Sequence, residues 1–206
     1  MTEESEYNYL MIIVDVEASG VDQNKNSVLS VGAVDLNHPT EQFYGECRIW
    51  DGAHIDPAAL EYNGFTREEI TGKTKQSEAE LVKAFLQWIA NREDHTTGGQ
   101  NPSFDRDFLK EAAFRAKLNW PLAYRTVDLH SVCYAHMISH GIIPEIKNHR
   151  TNLDSDTISK YVGLPAESRP HNALNGAKIE AEAMSRLLFN KNLLPEFAGF
   201  PLPWIA

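Results

Sequence analysis

The sequence predicts one α/β domain built around a mixed sheet. Three observations predict it. Three apolar runs with the β-branched character of buried strands crowd the first fifty residues, joined by short polar connections. From residue 77 onward, helical periodicity alternates with brief strand-like stretches. No internal repeat or linker interrupts the 206 residues. Of these, 42% are hydrophobic and 23% charged, a balance that suits a soluble globular domain with a substantial core.

In chain order, an acidic tail over residues 1–8 precedes the first strand, Tyr9 to Val16 (YLMIIVDV), which ends before Ser19-Gly20. Val28 to Leu36 and Gln42 to Trp50 read as two more strands, completing an antiparallel meander whose first turn is Asn24-Lys25-Asn26. Asp51 to Lys75 reads as a loop with one short helix within DPAALEYNGFTREEI. Ser77 to Arg92 is an amphipathic helix. Its Leu81, Phe85, Trp88 and Ile89 recur at spacings of three and four, and Ser77 with Glu80 forms a capping box. A short strand closes over Gly98 to Asn101, and a helix follows from Ser103 to Leu118. Tyr124 to Val127 is a strand, Leu129 to about His140 a helix, Gly141 to Thr151 a loop. Leu153 to Val162 is a helix that Gly163 stops. The last helix runs from about Asn172 to Phe189, and residues 195–206 form a Pro-punctuated tail.

The bulk properties exclude several classes. No apolar run approaches the 18 residues of a membrane span, and the acidic start lacks a basic-then-apolar signal, so a cytoplasmic location without membrane contact is expected. Cys47 and Cys133 stand too far apart for a CxxC metal pair and read as buried, reduced thiols. The net charge of −10 argues against a protein that grips duplex nucleic acid by its phosphates. It leaves room for one that meets phosphate through metal ions. No Gly-rich phosphate loop follows the first strand, because Asp15-Val16-Glu17-Ala18-Ser19-Gly20 stands there; this argues against a Rossmann or P-loop reading.

That replacement stretch carries the chemistry. Side chains alternate along a strand, so Asp15 and Glu17 share a face. Two like charges at a buried edge raise each other's pKa unless a divalent cation sits between them, and hard oxygen ligands suit Mg²⁺ or Mn²⁺. Two solvated acids at a strand end are the competing interpretation. Asp105, in Asn101-Pro102-Ser103-Phe104-Asp105, again follows a short strand at a helix start, where helix capping competes as an explanation. His171 heads the last helix, a place from which a histidine can act as a base; a histidine satisfied at the surface or in the core is the alternative.

DVEASG at the end of the first strand, NPSFDRDFL opening a middle helix and HNAL opening the last helix occur in this order in one domain. Together they resemble the DEDDh family of 3′–5′ exonucleases, the group of the polymerase proofreading subunits and ribonuclease T. LEYNGFT, residues 60–66, is similar to the family's segment between the first two motifs. The resemblance implies a ribonuclease-H-like fold, a mixed five-stranded sheet flanked by helices. It implies two Mg²⁺ or Mn²⁺ ions. Asp15 would bridge them, Glu17 would hold the first, Asp105 would act on the second through water, and His171 would take a proton from the attacking water. Two such ions lower the pKa of water and neutralise the growing charge of a phosphodiester under attack. Ala18, Ser19, Gly20, Asn63, Asn101 and Phe65 would meet the terminal nucleotide, while Phe104 is expected in the core. The substrate would be a single-stranded or frayed 3′ end of DNA or RNA, released as nucleoside 5′-monophosphates; Lys147, His149, Arg150 and Arg169 would guide the strand. A homodimer or a polymerase-type partner stays open.

One position departs from the pattern. Five residues after His171, where the family places an aspartate, stands Gly176. Three explanations compete. Glu180, one turn on and on the same helix face, would reach back as a surrogate ligand, because helical side chains lean toward the N-terminus. A substitution has silenced the chemistry. Or the protein binds nucleic acid with weak or no turnover. A carboxylate site for a purely structural cation is a further, less specific possibility. Glu182 is expected to be a solvated helix charge.

Overall fold

The computed structural model describes residues 11–205. The expected five-stranded mixed sheet is present, in the order β3-β2-β1-β4-β5. Strands β1 (Ile12–Ala18), β2 (Val28–Asp35) and β3 (Gln42–Glu46) form the antiparallel meander. Strands β4 (Thr97–Gly99) and β5 (Thr126–Asp128) add to the other side of β1 in parallel. The first strand is therefore central. Its alternation sends Ile12, Val14 and Val16 into one core and Ile13 into the other. Asp15 and Glu17 continue the face of Ile13. The register of β1 against β2 shifts between Glu17 and Ala18, a bulge where the strand leaves the ladder.

Helices cover both faces. On one lie α3 (Glu78–Ile89) and α4 (Pro102–Arg115), burying Leu81, Phe85, Ile89, Phe108 and Leu109. The predicted capping box of α3 forms: the Ser77 hydroxyl accepts from the Glu80 amide, and Glu80 accepts from the Ser77 amide. On the other face lie α5 (Leu129–Ser139), α6 (Ser155–Tyr161) and α7 (Ala173–Phe189). Helix α7 crosses β1 and β2 closely. A Cβ at Gly32 of β2 would stand 2.1 Å from the Ala173 carbonyl oxygen, so only glycine admits the head of α7 there.

Four expectations need correction. The third strand stops at Glu46 rather than Trp50, because the chain turns off the sheet edge and the Arg48 amide donates to the Gln76 carbonyl instead. The 51–75 segment holds two helices, α1 (Pro57–Asn63) and α2 (Arg67–Thr71). Asp56 caps the first, and Thr66 with Glu69 forms a capping box on the second. The 141–151 loop contains a two-stranded hairpin, β6 (Ile146–Lys147) with β7 (Arg150–Thr151). Glu182 is fully buried: it accepts from Arg186 and from the amides of Leu193 and Leu194. Arg186, equally buried, donates onward to the carbonyls of Val162, Phe197 and Phe200, and so fastens the tail to α7.

Tyr9 and Leu10 of the predicted first strand, and the acidic tail, lie outside the described residues. Cys47 and Cys133 are free and buried. Among the described residues, no helix is long and apolar enough to cross a membrane.

Candidate active site

The end of β1, the head of α4, the segment before α7 and the first turns of α7 surround one cavity of about 430 Å³. Asp15, Glu17, Asp105, Glu167, His171 and Glu180 all line it, and among the described residues no lysine or arginine does. Helix α4 is tied to the strand by its own carboxylate: Asp105 Oδ1 accepts from the Val16 amide at 2.9 Å. Val16 lies between Asp15 and Glu17, so this bond sets Asp105 against both. Asp105 is thus no helix cap; Asn101 holds the cap position without a side-chain capping bond to a helix amide.

Electrostatics follow from the crowding. Burial first, then the charges of Glu180, Asp105, Glu17 and Glu167, push the Asp15 carboxyl well above its ordinary range. Burial and then Asp105 do the same to Glu180, against the Gln100 amide, which donates to its Oε2 at 3.1 Å. Burial raises Asp105 to about 8, and burial with the charge of Glu167 raises Glu17 to about 7. Desolvated like charges without a cationic neighbour are strained electrostatically.

Position 176 has a spatial reason for glycine. A Cβ there would lie 2.0 Å from Asp15 Oδ2. The Asp15 carboxylate occupies the room that a side chain at 176 would take. Glu180, one turn further along α7, is the acid this helix delivers to the cavity. Hard oxygen donors at this density suit a divalent cation. Among the described residues, however, no three His, Cys, Asp or Glu side chains already stand as a ready ligand set. The donor chemistry fits such an ion; the carboxylate tips would have to turn to enclose it.

His171 is held on two sides. Its Nδ1 lies 2.8 Å from Glu167 Oε2. Its ring stacks on Tyr62, with centroids 4.0 Å apart and 19° between the planes. Of the substrate-binding candidates, Ala18, Gly20, Asn63 and Asn101 line the cavity. Asn63 is buried and donates to the Ala18 carbonyl. Ser19 and Phe65 do not line it. The Ser19 hydroxyl is spent on the His54 carbonyl and the Ser27 amide, and Phe65 faces a neighbouring recess behind His171. Phe104 packs against the core and also lines the cavity. Glu167, Gln100 and Tyr62 are site residues that sequence reasoning missed. Glu167 stands four before His171, but outside any helix that spacing carries no signal.

Residues 8–188 match the Rv2179c-like family, described as a 3′–5′ exoribonuclease domain. Ribonuclease T from Haemophilus influenzae is 26% identical over 121 residues, 52% of this chain and 52% of its own. The 3′–5′ DNA exonuclease Cap18 from Escherichia coli is 29% identical over 177 residues, 84% of this chain and 88% of its own. The chain thus spans about half the length of the ribonuclease T relatives it matches. Among solved structures, E. coli Exonuclease I in complex with a dT13 oligonucleotide is similar with a TM-score of 0.70 at 20% identity, covering 88% of this chain and 40% of that one. The cell-death related nuclease CRN-4 gives 0.68 at 16% identity, covering 88% and 64%. At those identities the likeness establishes the fold, which is the expected ribonuclease-H-like one.

Proposed function

The chain belongs to the Rv2179c-like 3′–5′ exoribonuclease domain family, and on that premise we propose that it hydrolyses single-stranded or frayed nucleic acid from the 3′ end, releasing nucleoside 5′-monophosphates. The observation that carries this reading is the meeting of Asp15, Glu17, Asp105, Glu180 and His171 in one cavity that, among the described residues, no lysine or arginine lines. Bound Mg²⁺ or Mn²⁺, held by Asp15, Glu17 and Asp105 with Glu180 as the fourth carboxylate, would supply a more acidic water and neutralise charge on the phosphate.

The chain's own residues do the rest. His171 takes a proton from the attacking water. The water oxygen bonds to phosphorus as the bond to the preceding nucleotide's 3′-oxygen breaks, and that oxygen picks up a proton from solvent. Asn63, Asn101, Gly20 and the backbone at Ala18 shape the seat of the terminal nucleotide. Phe104, at the cavity wall, offers its base an apolar face. The family description names RNA and Cap18 is named for DNA, so both substrates belong in the test.

The protein is incubated with DNA and RNA oligonucleotides labelled at either end, with Mn²⁺ or with chelator. Manganese-dependent loss of the 3′ label ahead of the 5′ label is the expected result. Binding without loss would contradict the reading and leave a nucleic-acid-binding module; neither binding nor loss would leave only a structural cation site.

A further inference from the structure

We propose that Glu167 is the positioning residue of His171: its carboxylate holds the imidazole in the Nδ1–H tautomer and leaves Nε2 as the nitrogen that accepts a proton. The inference rests on the hydrolytic reading above and adds to it the residue that makes the histidine a usable base. Three observations carry it. First, the two oxygens of Glu167 are both committed at this point: Oε2 lies 2.8 Å from His171 Nδ1, and Oε1 accepts from the Asn172 amide at 3.3 Å. The carboxylate therefore grips the ring and the next peptide together. Second, the ring is fixed in plane by Tyr62, stacked at 4.0 Å, and the His171 amide donates to the Tyr62 carbonyl at 3.3 Å. Arg169 lies over Tyr62, with 5.5 Å from its guanidinium carbon to the ring centroid. Third, histidine and glutamate are both mostly covered, with side chains 12% and 10% exposed, so water competes poorly for the contact.

The chemistry follows from valence. An ionised carboxylate only accepts hydrogen bonds, so Nδ1 carries the hydrogen and Nε2 carries the lone pair. When Nε2 takes a proton, the imidazolium gains a negative partner already in place, as in other carboxylate-oriented histidine bases. Both Glu167 oxygens are engaged by His171 and the Asn172 amide rather than by the carboxylate cluster. The assignment of Glu167 is to orient, and the cluster of Asp15, Glu17, Asp105 and Glu180 keeps the cation-binding role.

The test reads the tautomer directly and turnover separately. In metal-free protein with ¹⁵N-labelled histidine at pH 8, long-range proton–nitrogen spectra should show His171 as Nδ1–H, assigned by loss of its signals in H171Q. E167A should release the ring to a mixture or to Nε2–H. A wild-type ring already in the Nε2–H form, or a tautomer unmoved in E167A, would overturn the proposal. In the labelled-oligonucleotide assay, E167A should lower kcat by roughly 10–100-fold, a part of what a general base contributes, with KM little changed. E167Q, which keeps the shape and an acceptor but loses the charge, should fall between. Equal kcat in wild type and both variants would also overturn it. A chain that holds the predicted tautomer through Glu167 yet never turns over would sink the exonuclease reading and support the orienting role.

Discussion

At the scale of single residues, Gly176 and Glu180 decide what kind of site this is. The Asp15 carboxylate fills the space beside Gly176, and Glu180 stands in the same cavity with its acidity weakened by burial and then by the charge of Asp105. On this account Glu180 is the fourth cation ligand. E180Q, which keeps the shape and removes the charge, should weaken Mn²⁺ binding by at least 10–100-fold in calorimetry, as loss of groups around a metal commonly does. G176D would put a Cβ 2.0 Å from Asp15 Oδ2, so it should displace that ligand and lower the rate; a rise by orders of magnitude would pass the ligand's role to position 176. Much of this was legible in the sequence. Acids at a buried strand end and at the head of a helix carry a recognisable conflict with burial, and Glu180 follows Gly176 by one helical turn. Glu167 was not legible, because it reaches His171 from irregular chain where no periodicity predicts direction. Ser19 was misplaced for a related reason: its neighbours in sequence line the cavity, while its own hydroxyl closes a turn.

At the scale of elements, α7 brings Gly176 and Glu180 to the acidic cavity, and β2 sets how near it can come. Asn172 caps the helix through the amides of Leu174 and Asn175, one residue after His171. Gly32 lets the helix head touch the sheet, and that contact fixes Gly176 and Glu180 relative to Asp15. In G32A the new methyl meets backbone, which cannot rotate away. The expected cost is about 1–3 kcal/mol in urea unfolding, the usual range for overpacking, together with a loss of activity larger than distant substitutions of equal stability cost produce. An unchanged midpoint would mean that α7 is held elsewhere. Elements with strong periodicity or caps, such as α3 and α7, matched the sequence reading within a few residues. The hairpin of β6 and β7 escaped it because each strand has only two residues, both exposed or nearly so. Helix α2 escaped because its five residues carry no apolar repeat, although its capping box was there to be read.

At the scale of the whole molecule, the cavity's acids oppose the stability that the two cores supply. In the unfolded chain these groups ionise near 3.8 and 4.5, whereas folded Glu17 and Asp105 hold their protons to about 7 and 8, and Asp15 and Glu180 are raised as well. Between about pH 4 and 8 the unfolded state has released protons that the folded state retains, so rising pH favours unfolding. The penalty from Glu17 and Asp105 is absent below about pH 4 and develops as pH rises through about 7 and 8, and Asp15 and Glu180 add to it in the same direction. Surface carboxylates such as Glu69 and Glu80, held low by their capping bonds, act oppositely and only at the acid end. Metal-free protein should therefore lose Tm between pH 5 and 8, and saturating Mn²⁺ should restore more at pH 8 than at pH 5; equal gains at both would contradict the assignment. The mixed sheet and its two-sided helical cover were foreseeable from the order of strand-like and helical segments. The buried Glu182–Arg186 pair was not, since its need for burial comes from the returning tail, which sequence spacing does not reveal.

The most direct measurement is an anomalous-scattering map from a crystal soaked with Mn²⁺ and a nucleoside 5′-monophosphate. The account predicts manganese between the carboxylates of Asp15 and Glu180, with Glu17 or Asp105 completing its oxygen shell and the phosphate facing His171. A cavity without anomalous density under saturating Mn²⁺, or manganese bound only at the surface, would contradict it.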